Sequence, residues 1–461
     1  MSNSTTTPSI KNEIKENLSI SIPLITSQII FACSGFIGTA MVAHLGKDAL
    51  AASVLVSMAW MSLSMLFFGI LNSVSVLVSH QYGAKNEKAI SDIMGQGFLL
   101  GISITGILLL ILLSLPLFMH WSAQPPEVLR LANQYTYALM WTVPGLVTLV
   151  ICEQFLAGIN RTKLVLRISI LVVPIEIPLI YLLIFGKFGF PTCGIAGVGY
   201  GFAVTYTISA VLLACYLLKA KHYRTYRIFS GITPIHLTYL KELLRVGLPM
   251  GFMHVIEISA FAVATFWIGH FGTTLLAAHQ IVMQYLSFSI TLVFAMSQAV
   301  TIRVGHAVGR QDLLGVRYAA YTGMIMNFAI VLLIALAFIT IPQFFLRLDV
   351  DIHNAANAAL IQDTAVLLSI CGILILFDNF RLIGFGALRG LKDTRFPMFA
   401  SLFSFWVVGL VFAYLLGFVW DFQGAGIWWG LVAGIACGAT IVFIRLQYLL
   451  KRVDLNKIMA I

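Results

Sequence analysis

Apolar stretches long enough to cross a bilayer, roughly 20 residues or more each, alternate along this chain with short polar connections. They predict twelve helices, over 18–43, 50–79, 95–117, 131–158, 165–186, 195–218, 240–270, 276–304, 317–343, 360–388, 397–418 and 425–448. The strict apolar–polar alternation of membrane β-strands is absent. Backbone groups in hydrocarbon must be paired within their own segment, so runs of this kind have to be helical. The first run is too long for the apolar part of a signal peptide and lacks a good cleavage site, so it is expected to be a retained helix. The fold class expected is an all-α polytopic membrane protein of about twelve transmembrane helices.

Composition supports that reading. The 461 residues are 60% hydrophobic and 10% charged, with mean hydropathy +0.96, whereas soluble domains carry roughly 25% charged residues. The net charge of +10 does not call for nucleic acid, because the basic residues are not gathered on one domain. They fall in alternate connections: Lys11 and Lys15; Lys85 and Lys88; Arg161, Lys163 and Arg167; Lys219, Lys221, Arg224 and Arg227; Arg303 and Arg310; Arg389, Lys392 and Arg395; Lys451 and Arg452. The opposite set holds only Lys47, Arg130, Lys187 and Arg347. The positive-inside rule then places both termini in the cytoplasm. Six cysteines without a CxxC pair give neither a disulfide framework nor a zinc site. No HExxH, GxSxG or P-loop motif suggests an enzyme, no filter segment suggests a channel, and no cofactor is expected.

The sequence repeats itself. At an offset of 226 positions Pro23 aligns with Pro249, His44 with His270, Gly46 with Gly272, Ala51-Ala52 with Ala277-Ala278, and Val74, Val78, His80 and Gly83 with Val300, Val304, His306 and Gly309. Gly158 and Thr162 align with Gly390 and Thr394 at 232, and Ala196-Gly197 and Gly201 with Ala425-Gly426 and Gly430 at 229. Two pseudo-symmetric six-helix lobes follow, related by an axis along the membrane normal, a common transporter plan. The expected division is a cytoplasmic tail (1–17), an N-lobe (18–218), a cytoplasmic linker (219–241), a C-lobe (242–448) and a second cytoplasmic tail (449–461).

The repeat residues also carry a family resemblance. Phe36 to Gly46 (FIGTAMVAHLG), Leu77 to Gly83 (LVSHQYG), Val246-Gly247-Leu248-Pro249 leading to Glu257, Ala277-Ala278-His279-Gln280, Arg303-Val304-Gly305 and Gly386-Ala387-Leu388-Arg389-Gly390 together resemble the multidrug and toxic compound extrusion family, in its NorM-type bacterial branch. The resemblance implies two lobes around a central cavity and efflux of cationic amphipathic compounds against Na⁺ or H⁺. It implies a bacterial inner membrane and a monomer, since two lobes make one cavity. A lipid-linked oligosaccharide flippase of the same superfamily would want a cavity rich in Arg and Lys, and the buried charge here is mostly acidic.

Charges inside a span cost at least about 2.5–3.5 kcal/mol each at a helix centre, so each needs a reason. Glu153, Glu176, Glu257 and Asp378 lie well inside predicted spans, as does Arg381. The resemblance makes Glu257 and Asp378 the second-lobe acids of cation coupling and drug binding, and the expected Na⁺ ligands should Na⁺ be the coupling ion. A membrane-buried carboxylate can hold a proton, Na⁺ or an organic cation, but hardly two at once, and mutual exclusion is what antiport needs. Arg381 departs from the family pattern, where an amide is expected. Three residues after Asp378, it either meets that acid on one helical face or faces away and snorkels. The resemblance also calls for an acid where this chain has Gly38, and for Asn where it has Glu176. The first-lobe carboxylate is therefore expected to have moved to Glu176, between Pro174 and Pro178, or else Glu176 is a structural, hydrogen-bonded group. Tyr285, Phe261 and Phe380 neighbour the acids in sequence, Gln280 belongs to a family motif, and Glu153 lies toward the end of its span.

Overall fold

The computed structural model describes residues 10–120, 125–230, 235–351, 354–452 and 454–459. The first nine residues of the expected N-terminal tail, residues 231–234 of the expected linker and the last two of the C-terminal tail lie outside them. The helices are α1 (Ile10–Ala43), α2 (Lys47–Leu71), α3 (Ser73–Gly83), α4 (Glu87–His120), α5 (Pro126–Met140), α6 (Thr142–Gly158), α7 (Thr162–Phe185), α8 (Ala196–Lys219), α9 (Leu237–His270), α10 (Thr273–Gly309), α11 (Leu313–Thr340), α12 (Pro342–Asp349), α13 (Ala358–Gly390), α14 (Arg395–Leu402), α15 (Leu410–Tyr414), α16 (Gln423–Arg452) and α17 (Leu455–Met459). Among the described residues eleven helical segments are long and apolar enough to cross a membrane, α2 with α3 counting as one and Arg395–Val419 as another. The pair α5 and α6, bent by 43° at their junction, makes a twelfth. All twelve predicted spans therefore have a helical counterpart. The bend has a local cause. Pro144 has no N–H to give the carbonyl of Met140, and its ring crowds that carbonyl, so α5 ends there.

The chain divides into two compact units, one of residues up to Ser21 together with those from Phe252 onward, the other of Ile22–Gly251. Both changes of unit fall inside a helix, beside Pro23 in α1 and Pro249 in α9.

The sequence repeat is written into the backbone of each unit. Gly46 and Gly272 precede α2 and α10 with φ of 110° and 119°, a region L-residues avoid. Lys85, Gln311, Asn160 and Lys392 all take left-handed φ of 58° or 59° after a helix. In each case the next amide donates to the carbonyl five residues back: Asn86 to Gln81, Asp312 to Ala307, Arg161 to Leu156 and Asp393 to Leu388, at 2.7–2.9 Å. These are Schellman caps, duplicated at the sequence offsets. A Cβ at Gly158 would lie 2.7 Å from Val78 Cγ1, and one at Gly390 2.6 Å from Val304 Cγ1, so the same close helix approach recurs in both units.

Small residues permit such approach where apolar lipid gives helices no hydrophobic drive to associate. Gly430 of α16 is the tightest case, since a Cβ there would collide with the backbone of Ala413 in α15. Gly430→Val is expected to cost about 1–3 kcal/mol, the usual cost of overpacking. Thermal unfolding in detergent checks it, with Gly106→Val as control, because Gly106 has nothing within 4 Å of its Cβ position. Equal midpoints for the two variants would refute the packing argument.

Candidate functional site

In the unit that contains α13, that helix packs against α10, α11 and α16, and its inward face carries Asp378 and Arg381. Spaced i, i+3, the two point the same way. Arg381 Nε donates to Asp378 Oδ1 at 2.7 Å, and Nη2 lies 2.6 Å from the same oxygen. Arg381 Nη1 donates to Glu257 Oε1 on α9. Ser401 of α14 adds a hydroxyl at 3.3 Å from that oxygen. The guanidinium lies over the rings of Phe405 and Phe385, 4.9 and 5.2 Å from their centroids. Asp378 and Arg381 are 3% and 2% exposed, so Arg381 does not snorkel. A planar fork that stays charged suits a position between two carboxylates. Two carboxylates and one guanidinium give the three groups a formal net charge of −1. Between Asp378 and Arg381 in sequence are Asn379, which accepts from Asn327 Nδ2 at 2.6 Å, and Phe380, whose ring lies 5.1 Å from that of Phe328, tilted by 35°.

The other unit presents a different arrangement. Helices α1 and α7 run in register, with Ser27 Oγ 2.5 Å from Ser169 Oγ and, seven residues further along both, Ser34 Oγ donating to Glu176 Oε1. Glu176 is fully buried, and its Oε2 has no hydrogen-bond partner. Pro174 and Pro178 cannot donate to the carbonyls four residues earlier, those of Ile170 and Pro174, so oxygen acceptors are released on the same stretch of α7. Glu153 of α6 is half-buried, with Oε1 unpartnered. Tyr206 of α8 lies within electrostatic range of both acids and stacks on Phe202. Among the described residues neither Glu176 nor Glu153 forms an ion pair with a basic group. Gly38 is buried one turn beyond Ser34 on the same face of α1, and a Cβ there would meet only Val198 Cγ1, at 3.9 Å.

The structure therefore brings Glu257, Asp378 and Arg381 together and sets Glu176 beside the α1 face that carries Gly38. Tyr285 is placed elsewhere. Its hydroxyl donates to Phe345 O at 2.9 Å and to Asp349 Oδ2 at 2.5 Å, fastening α12 to α10. Gln280 is exposed, and Phe261 packs on Phe405 at 5.9 Å. His279 is fully buried and accepts from the Trp428 indole through Nδ1, which leaves Nε2 to donate to Thr265. Ser34, Ser401 and Tyr206 were not singled out from the sequence. Ser34, one turn from Gly38, is the one whose spacing gave a signal. Among the described residues no three His, Cys, Asp or Glu gather around one point, so a cation at either place would be held by carboxylate, hydroxyl and carbonyl oxygens.

The MatE family model matches residues 23–182 and 249–415, one match in each half of the chain. The chain is 31% identical over 442 residues to a probable multidrug resistance protein NorM of Synechocystis sp., with 95% of each covered. It is 32% identical over 427 residues to a probable NorM of Pseudomonas aeruginosa, covering 93% of this chain and 88% of that one. Among solved structures it is similar to an outward-facing multidrug resistance MATE family transporter of the MOP superfamily (TM-score 0.86, 18% identity, 95% and 96% covered). It is also similar to a MOP superfamily transporter from Pyrococcus furiosus (TM-score 0.85, 19% identity, 96% and 97% covered). The fold is shared with both. With both halves matched by the family model and relatives above 30% identity along nearly its whole length, the chain belongs to the MatE family and is a membrane transporter, not an enzyme.

Proposed function

We propose that this protein is a secondary antiporter of a bacterial inner membrane. It exports cationic amphipathic compounds by alternating access and takes up H⁺ or Na⁺ in exchange. The multidrug resistance names of its relatives support export of such compounds. The observation that carries the coupling mechanism is Glu176, fully buried with one carboxylate oxygen unpartnered and no basic group paired to it. An unbalanced carboxylate in hydrocarbon needs a counter-charge. A proton, Na⁺ or an organic cation satisfies it in turn, and each excludes the others. Glu257 and Asp378 form the second acidic locus, with Arg381 as a built-in counter-ion and one net charge left for a cation. Efflux of a fluorescent cation from proteoliposomes under separately imposed Na⁺ and pH gradients tests the proposal. Export driven by neither gradient would end it.

Both termini are proposed to be cytoplasmic on the strength of the basic connections. Cysteines introduced at Lys85 and Lys392, in exposed and half-exposed turns, are expected to resist membrane-impermeant maleimide in whole cells and to react once the cells are opened. Labelling in intact cells would reverse the orientation.

A further inference from the structure

Outside the acidic loci, one groove combines an apolar wall with unneutralised positive charge. It encloses about 480 Å³ and is lined by Ile14 of α1 and, on α11, by Leu314, Arg317, Tyr318, Ile325 and Ala329 among others. From Arg317 to Ala329 the wall runs twelve residues, roughly 18 Å at ~1.5 Å per residue, close to one leaflet of a bilayer whose hydrocarbon is about 30 Å thick. Arg317 stands at its mouth. Nε and Nη2 donate to Leu450 O of α16 at 3.2 and 2.8 Å. Among the described residues no carboxylate forms an ion pair with Arg317, and Nη1 has no partner. Lys451 and Arg452, which are exposed, follow Leu450 directly, and exposed Lys15 follows Ile14. The acids of that part of α1 are already committed: Glu13 and Glu16 pair with Arg303 at 2.6 and 3.5 Å. Tyr318 and Tyr321 are amphipathic rings of the kind enriched at membrane–water boundaries, and the Tyr321 hydroxyl donates to Gln447 Oε1 at 2.8 Å.

We infer that this groove is a binding site for an anionic phospholipid, in the leaflet on the side of the chain termini. An acyl chain lies along Tyr318, Ile325 and Ala329, and the phosphate and anionic headgroup meet Arg317 Nη1, Lys15 and Lys451. Basic pockets between transmembrane helices bind anionic headgroups for this reason. The same positive mouth disfavours the transported organic cations as occupants.

The test is native mass spectrometry of the full-length protein in detergent, titrated with phosphatidylglycerol or phosphatidylcholine. Phosphatidylglycerol is expected to be retained preferentially. Arg317→Gln, and separately the triple variant Lys15→Gln, Lys451→Gln, Arg452→Gln, should each lower that preference by about five-fold per basic residue removed. Ala329→Trp fills the groove from its exposed wall without touching the charges, and should reduce retention of both lipids. Equal retention of the two lipids by the wild type, a preference unchanged in the charge variants, or retention unaffected by Ala329→Trp would each overturn the inference. So would displacement of the lipid by a hydrophobic cation.

Discussion

Glu176→Asn is expected to abolish ion-driven efflux while leaving the protein inserted and folded. The substitution removes one charge and one methylene, and it withdraws the carboxylate oxygen that the Ser34 hydroxyl donates to. What disappears is attraction for the coupling ion. Two unit charges about 4 Å apart are worth about 4 kcal/mol at an effective dielectric of ~20. Even part of that exceeds roughly a hundred-fold in affinity. The effect should therefore appear as loss of coupling rather than a small change in rate. The same geometry predicts a rescue. Gly38 lies one turn beyond Ser34, and its Cβ position is open but for Val198 at 3.9 Å, so the Cβ of an aspartate is accommodated there without moving backbone. Adding Gly38→Asp to Glu176→Asn is expected to restore part of the coupling. If the double variant transports no better than Glu176→Asn, at equal folding, the charge is not portable between α1 and α7 and Glu176 is structural.

The second large effect falls on the other acidic locus. Arg381 binds Asp378 and Glu257 at once, so Arg381→Gln leaves one buried and one half-buried carboxylate without their cation. Breaking a buried ion pair from one side costs about 3–5 kcal/mol, and a decisive drop in the midpoint of thermal unfolding in detergent is expected. Arg381→Gln combined with Glu257→Gln removes a charge of each sign and should recover stability over Arg381→Gln alone. Glu257→Gln or Asp378→Asn by itself leaves Arg381 one carboxylate and is expected to be tolerated by the fold while impairing efflux. A double variant no more stable than Arg381→Gln would mean that the guanidinium contributes through its packing on Phe405 and Phe385 rather than through charge. Near-normal efflux by both acid variants would remove this locus from the coupling scheme.

Hydropathy alone delivered the twelve spans, because hydrocarbon forces each apolar run to satisfy its own backbone. The repeat was legible because close approach at Gly158 and Gly390 constrains residue type in both halves. The bend between α5 and α6 could have been read from Pro144, whose missing N–H predicts a break near Met140. The pairing of Arg381 with Asp378 was accessible from i, i+3 spacing. Its second bond to Glu257, across 124 positions, was not, since nothing in local spacing reports which faces of α9 and α13 meet. Tyr285 was named for its nearness in sequence to the acids, and spacing gave no sign of the contact its hydroxyl makes with Asp349 of α12. Ser34 escaped notice because a serine in a membrane helix usually bonds back to its own turn, as Ser21 does.

If one buried carboxylate serves ion and drug by mutual exclusion, their affinities are linked reciprocally. The direct measurement is calorimetric titration of the purified protein with a fluorescent organic cation across a series of Na⁺ concentrations and pH values, for wild type and Glu176→Gln. The account predicts that drug affinity in the wild type falls as Na⁺ or H⁺ rises, that binding releases the coupling ion, and that both dependences are sharply reduced in Glu176→Gln. Drug affinity independent of both ions in the wild type, or a dependence that survives intact in Glu176→Gln, would contradict it.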